Sequence, residues 1–360
     1  MIPAHDLPAV QTKPMKLTEF DYHLPPELIA QEPSPERDRS RMMVLDKSGK
    51  TFTHHHFFNL PDFLNKGDTL VLNDSKVFPA RLHGQKETGA VVEVLLLTLK
   101  DDHNPACTIW EVLLRPAKRV RLGTVLMFHE HSQGKILDRI TEKKWLLELS
   151  TDCPWETFLE GHGSTPLPPY INRKDDTTHR STDRDRYQTI YARRFGSVAA
   201  PTAGLHFTPD ILNCLEIMGV AIAKVTLHVG YGTFLPVEAE NVEEHAMEEE
   251  YYEISAETAA LISGSKRVLA VGTTSTRVLE SLADERGRIA AASGYTKLFI
   301  YPGYRFKRVN ALLTNFHLPK SSLYLLTCAF GGSHLIRTAY AEAIRERYRF
   351  YSYGDCMFIS

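Results

Sequence analysis

Four histidines, His206, His228, His245 and His317, each stand in a loop-like context beside glycine, proline, threonine or glutamate. An imidazole that is neutral near pH 7 can take up or deliver a proton, so this residue type in a ligand-facing turn points to acid–base work. The surroundings sharpen that reading. Gly196-Ser-Val-Ala-Ala-Pro-Thr-Ala-Gly-Leu-His206-Phe-Thr208 is a run of small residues ending in a histidine. Its glycines and alanines let the main chain come close to a ligand, Pro201 fixes a turn, and Thr202, His206 and Thr208 add polar groups. Thr226-Leu-His228-Val-Gly-Tyr-Gly-Thr-Phe234 and Thr314-Asn-Phe-His317-Leu-Pro-Lys-Ser-Ser322 follow the same plan. Three apolar-to-polar transitions of this kind predict one site built from loops at strand ends.

Other chemistries find less support. The chain has no H-E-x-x-H, no paired cysteines and no ligand-like histidine spacing, so no metal is expected. The triplet His54-His55-His56 reads as part of an exposed strand. No G-x-S-x-G, no G-x-G-x-x-G after a strand and no P-loop are present, which removes the usual support for serine hydrolases, dehydrogenases, kinases and ordinary Rossmann methyltransferases. Gly272-Thr-Thr-Ser-Thr-Arg277 lies between a strand and a helix. Hydroxyls and free N–H groups at a helix start can hold a carboxylate or a ribose. Arg277 in the first turn opposes the helix dipole, which favours a ligand there over simple capping by Thr274 or Ser275.

The elements that must position these residues fall into two textures. From about Ser75 to Ser150, short strand candidates succeed one another with no helical period between them: 81–86, 91–99, 109–114, 124–128, 135–140 and 145–149. Six strands so spaced predict a closed or nearly closed β-barrel. Elsewhere strands alternate with helices. Asp68-Thr-Leu-Val-Leu-Asn-Asp74 reads as a buried strand; 220–229, 267–271, 297–301, 311–313 and 356–359 continue the strand pattern, with helices at 275–283, 321–330 and 334–348. The predicted fold is therefore a layered α/β domain, residues 15–74 and 151–360, with a six-stranded barrel, 75–150, inserted in it. Residues 1–14 carry three prolines and no periodicity and read as a disordered extension.

Composition bounds the setting. A chain of 360 residues with a formal charge of -2 is long enough to bury a large core and announces no nucleic-acid partner by net charge alone. Local clusters exist nonetheless, foremost Arg115, Lys118, Arg119 and Arg121. Cys107, Cys153, Cys214, Cys328 and Cys356 are odd in number and scattered, as in reduced cytoplasmic proteins. No apolar run approaches a membrane span, and no signal-like start is visible.

The three histidine-bearing segments, together with Phe20-Asp-Tyr-His-Leu-Pro25, Glu27-Leu-Ile-Ala-Gln31, Arg37-Asp-Arg-Ser-Arg41, Gly272-Thr-Thr-Ser-Thr-Arg277 and Tyr351-Ser-Tyr-Gly-Asp355, resemble the S-adenosylmethionine:tRNA ribosyltransferase-isomerases of queuosine biosynthesis. The likeness runs from about Met15 to the end, in order. It implies the same barrel-in-α/β arrangement. It also implies an enzyme that consumes S-adenosylmethionine as a ribosyl donor and isomerises the ribosyl part to an epoxycyclopentane. The acceptor is the 7-aminomethyl-7-deazaguanine base of a tRNA anticodon; adenine and methionine leave. On that resemblance, Thr202, Gly204, Thr274, Ser275 and Arg277 are expected to line the S-adenosylmethionine pocket. Arg115, Lys118, Arg119 and Arg121 are expected on tRNA phosphates. The base beside the sulfonium is placed at His206 or His228, with His245 and His317 as orienting or leaving-group partners. The chain departs from the family pattern around His245-Ala-Met-Glu248, where a second histidine is often found.

Overall fold

The computed structural model describes residues 14–173, 180–234 and 236–360; the N-terminal extension expected over residues 1–14 lies, but for Pro14, outside them. Strands β1 (Arg41–Asp46), β2 (Thr51–His56) and β3 (Asp68–Asn73) come first, then a short β4 (Ser75–Val77). Six strands follow without a helix: β5 (Arg81–Gln85), β6 (Val91–Asn104), β7 (Cys107–Arg115), β8 (Val125–His129), β9 (Ser132–Arg139) and β10 (Lys144–Ser150). Helices α1 (Trp155–His162) and α2 (Arg180–Arg186) lead to β11 (Arg194–Ser197), α3 (Pro209–Ile217), β12 (Ala221–Leu227) and β13 (Glu250–Ile254). The chain ends with α4 (Ala256–Gly264), β14 (Arg267–Val271), α5 (Gly272–Leu282), β15 (Ala292–Thr296), β16 (Ala311–Asn315), α6 (Ser322–Gly331), α7 (Ser333–Arg345) and β17 (Cys356–Ile359).

Nine strands form one sheet in the order β15-β13-β12-β3-β14-β16-β17-β1-β2. Its centre, β12-β3-β14-β16, is parallel throughout. A parallel sheet is covered on both faces, so its strands must be apolar on both sides; every residue of β3 and β16 is buried. Side chains alternate across the pleat. Leu70, Leu72, Leu269, Val271 and Leu313 pack with Phe57 and Phe207 on one face. Val71, Ala223, Ala270 and Leu312 pack with Leu279, Leu325 and Tyr340 on the other.

The six strands β5–β10 close into a barrel in the order β10-β7-β6-β5-β8-β9, filled by Leu82, Val94, Trp110, Val112, Ile136 and Leu147. The fold class is the one predicted. Particular segments differ. Ser75–Val77 pairs in parallel with β11, outside the barrel. Residues 297–301 are irregular, and the strand lies one step earlier in β15, paired to β13. Helix α5 starts at Gly272, three residues before the predicted 275: Gly272 adopts φ +86°, which turns the chain directly from strand into helix with no polar side-chain cap between them.

Candidate functional site

A cleft opens where β12, β14 and β16 end, lined by Val229, Gly272, Thr273, Thr274, Thr314, Asn315 and His317. The carboxyl edge of a parallel sheet is where the chain fans out into loops, and ligands of such sheets bind there. The small-residue segment supplies a second wall, Ala199–Ala203. Tyr170, Tyr351 and Ser352 supply a third.

The first turn of α5 faces this space. Val271 stands at its cap with no side-chain hydrogen bond, so the first N–H groups are left for a ligand. The Thr274 and Ser275 hydroxyls are buried without a hydrogen-bond partner. Arg277, 4% exposed, lies in a side chamber that shares Thr233, Thr273 and Thr274 with the cleft. It is not the free cation the sequence suggested. Its Nη1 donates to Glu250 and its Nε donates to the Leu298 carbonyl at 3.0 Å, leaving only Nη2 unpartnered. Glu250 also accepts from the Gly230 N–H at 2.9 Å and the Thr233 hydroxyl at 3.1 Å, so one carboxylate ties α5 to the loop after β12.

Asn315 joins three walls. Its Oδ1 accepts from Thr202 Oγ1 at 3.2 Å, and its amide nitrogen donates to His206 Nε2 at 3.3 Å and to the Tyr351 carbonyl at 3.1 Å. Thr202 lines the cleft; His206, at the other end of the same short 3₁₀ turn, does not, and borders a separate small pocket instead. Burial pushes the His206 pKa down to about 4, partly offset by a hydrogen bond to the Arg37 main chain, and its ring rests on Phe57 at 5.2 Å. Gly204 is also outside the cleft. Its smallness accommodates Tyr191, whose hydroxyl oxygen would lie 2.1 Å from any Cβ placed there.

Of the four histidines, His317 is the one that lines the cleft. Its Nε2 lies 2.7 Å from the Thr314 hydroxyl, its main-chain N–H donates to Tyr340 Oη at 2.9 Å, and its carbonyl accepts from Tyr22. Burial pushes its pKa down to about 3. His228 sits one residue before the wall residue Val229, half-buried and stacked on Tyr251 at 5.5 Å, its Nδ1 buried without a partner. Burial lowers its pKa too. Gly196, at φ +138°, lets the ring lie where a Cβ would come within 2.7 Å of it. His245 is half-buried against Phe299 at 5.0 Å, and Phe299 lines the side chamber; burial again lowers its pKa.

The aromatic wall has no counterpart in the sequence expectations. The rings of Tyr170 and Tyr351 are 4.3 Å apart, and Tyr170 Oη is 2.5 Å from Ser352 Oγ. Tyr351 holds φ +72°, a conformation costly for a bulky side chain and concentrated at functional sites. Asn315, Tyr351 and Ser352 all lie within segments that carry the family resemblance, which is the signal the sequence offers for them; Tyr170 and Glu250 give none.

On the barrel, Arg115, Lys118, Arg119 and Arg121 occupy the end of β7 and the turn after it, all exposed. Among the described residues none of the four is ion-paired. Other basic residues have partners within the chain: Arg194 pairs with Glu253 at 3.4 Å and Lys307 with Glu285 at 2.7 Å, while Arg186 donates to the Pro35 carbonyl at 3.1 Å. Among the described residues no group of three or more histidine, cysteine, aspartate or glutamate side chains is placed to hold a metal, and no helix is long and apolar enough to cross a membrane.

A cleft at the carboxyl edge of a parallel sheet, beside an inserted barrel with an exposed basic turn, defines a two-part α/β protein of the class that binds small molecules at its strand ends. Residues 17–359 match the family described as queuosine biosynthesis protein. The chain is 56% identical to the S-adenosylmethionine:tRNA ribosyltransferase-isomerase of Syntrophus aciditrophicus (strain SB) over 361 residues, 96% of this chain and 99% of that one. It is 50% identical to the protein of the same name from Pelotomaculum thermopropionicum over 351 residues, 96% and 100% of the two chains. The crystal structure of the S-adenosylmethionine tRNA ribosyltransferase from Thermotoga maritima is similar at a TM-score of 0.52 and 36% identity, covering 95% of this chain and 100% of that one. The chain belongs to the queuosine biosynthesis protein family.

Proposed function

We propose that the cleft binds S-adenosylmethionine and that the barrel's basic turn grips tRNA while the ribosyl part is transferred. The enzyme is an S-adenosylmethionine:tRNA ribosyltransferase-isomerase. It moves the ribosyl moiety, isomerised to an epoxycyclopentane, onto the aminomethyl group of 7-aminomethyl-7-deazaguanine at the wobble position. Epoxyqueuosine-tRNA, adenine and methionine are the products. The observation that carries this reading is the uncapped start of α5, with the unpartnered Thr274 hydroxyl, in one cleft with His317 at the strand ends; Ser275, expected in the pocket, is buried behind it and lines neither cleft nor side chamber.

The methionine carboxylate fits the N–H groups of Gly272–Thr274, a helix N-terminus that favours negative charge, with Arg277 Nη2 beyond it. The Tyr170–Tyr351 wall offers a flat apolar face for a purine. The reaction needs a proton taken from the carbon beside the sulfonium, a proton or hydrogen bond delivered to departing adenine, and a proton taken from the attacking amine. His317 is neutral at physiological pH and stands in the cleft, so it is our first candidate for one of these transfers. His228 is the second, adjacent in the chain to the cleft-lining Val229, its buried Nδ1 without a hydrogen-bond partner. His206 acts through Asn315 as a positioning residue, and His245 packs on Phe299, which lines the side chamber. No metal enters this reading. Residues 15–74 with 151–360 form the catalytic unit and 75–150 the RNA-gripping unit, working in the cytoplasm, where the five free thiols stay reduced.

Incubation with S-adenosylmethionine and precursor-bearing tRNA tests the reading. Free adenine and methionine should appear in equal amounts. S-adenosylhomocysteine in their place would make the protein a methyltransferase and overturn it.

A further inference from the structure

A second depression lies against β4, β11 and α2, lined by Lys76, Thr189, Ile190 and Phe195 among others. Nothing in the cleft's chemistry uses it. It shares the Thr202–His206 turn with the cleft: Thr202 lines the cleft, while Gly204 packs against Thr189 of the groove. Tyr187 of the groove wall packs in the same apolar cluster as Ala200 of the cleft wall. The two sites are therefore neighbours separated by one layer of chain.

The lining combines three kinds of group. Phe195 and Ile190 are 38% and 40% exposed, and the Lys76 ammonium sits 4.3 Å from the Phe195 ring centroid. Arg37 and Arg184 also line the groove; each is held by main-chain carbonyls, Arg37 by Leu205 at 3.0 Å and Arg184 by Glu160 at 3.2 Å. Among the described residues neither arginine nor Lys76 forms a salt bridge, although Arg37 feels the Asp185 carboxylate and Glu160 also lines the groove. Thr189 is 4% exposed, and its hydroxyl has no hydrogen-bond partner; Asp185 adds a carboxylate. An exposed ring, an adjacent cation and buried polar groups together are the means by which proteins hold an unstacked nucleotide: the ring takes the base, the cations take its phosphates, and the polar groups meet its edge.

We propose that this groove receives a second nucleotide of the RNA, adjacent to the one modified in the cleft and drawn out of the anticodon stack with it. Phe195 and Ile190 carry the base, Thr189 and Asp185 meet its edge, and Lys76 and Arg184 meet the phosphates. The proposal rests on tRNA being the acceptor. Bringing a base into a closed cleft breaks its stacking on its neighbours, and a platform for the neighbour recovers part of that cost.

The test uses the full chain and anticodon stem-loops that carry the precursor base and 2-aminopurine at either flanking position. With the wild-type protein, fluorescence should rise at one flanking position as that base leaves the stack. Phe195→Ala should abolish the rise and raise KM for the stem-loop about tenfold, within the range for removal of one base–aromatic stack, with KM for S-adenosylmethionine unchanged. Phe195→Tyr should restore both. Lys76→Ala should reduce the salt slope of binding by about one. No wild-type change at either position, or Phe195→Ala indistinguishable from wild type, overturns the groove assignment. A wild-type protein that shows the fluorescence change but releases no adenine supports the groove and overturns the proposed reaction instead.

Discussion

Replacing Glu250 by alanine leaves the Arg277 guanidinium buried without its counter-charge and strands the Gly230 N–H and the Thr233 hydroxyl that the same carboxylate accepts. The side chains of Arg277 and Glu250 are 5% and 4% exposed, so the pair is a buried one. Removing one partner of a buried pair costs about 3–5 kcal/mol, and the stranded donors enlarge that without adding linearly. At about 2.1 cal/mol/K per residue, unfolding 360 residues changes entropy by about 0.76 kcal/mol/K, so a 4 kcal/mol loss lowers Tm by about 5 °C. The double variant Glu250→Leu/Arg277→Met removes both charges and should recover most of this stability, since apolar replacements of a buried pair are often neutral or better. Calorimetry reads stability, and the KM for S-adenosylmethionine reads the site. Because Val229 and Thr233 belong to the tethered loop and line the cleft, both variants should raise that KM, including the one that regains stability. A Glu250→Ala protein melting within a degree of wild type, or a double variant no more stable than the single one, would refute the reasoning.

Stability should also fall on acidification. His206 and His317, with folded pKa values of about 4 and about 3 against 6.5, take up protons in the unfolded chain first. The unfolded state thus binds up to about two more protons between pH 6.5 and pH 4, and stability is lost as pH drops through that window; melts at pH 7.5 and pH 5 should show it, less steeply in His317→Gln, and a flat profile would count against neutral burial. Neutralising Arg115, Lys118, Arg119 and Arg121 together should weaken tRNA binding and flatten its salt dependence by up to about 0.7–0.9 for each phosphate no longer neutralised, sparing S-adenosylmethionine; an unchanged slope marks them as solvated charge only. His317→Ala should retain both substrates yet lose about 10²–10⁴ in turnover, whereas near-normal turnover in a folded variant would make this histidine structural.

The barrel is legible in the sequence because its strands are apolar runs bounded by polar turns, so local pattern and final pairing agree, though β6 continues to Asn104, past the predicted 99. The terminal strand 356–359 is equally plain. The edge strand β15 is not: in Ala-Ser-Gly-Tyr-Thr the burial pattern is weak, and the more apolar run 297–301 beside it mimics a strand while packing onto the core without pairing. In the site, residue types are legible and directions are not. Thr202 and His206 lie four positions apart, but the tight turn between them sends one into the cleft and the other behind it. Arg277 looks free in the sequence because its partner Glu250 precedes it by a helix and a strand; only the sheet brings them together.

Strand β17 occupies the interior of the main sheet, antiparallel to β16 on one side and parallel to β1 on the other, with all four residues buried. It is also the last strand described along the chain. During synthesis the barrel, whose strands span only Arg81 to Ser150, can close on itself early, as local units do. The β1–β2 hairpin has no such option: its place in the sheet does not exist until Cys356–Ile359 has left the ribosome. The same late segment supplies Tyr351 and Ser352 to the cleft and the carbonyl that orients Asn315. A growing chain can therefore hold a finished barrel before it holds a finished cleft, whose last wall is withheld until translation has passed β17.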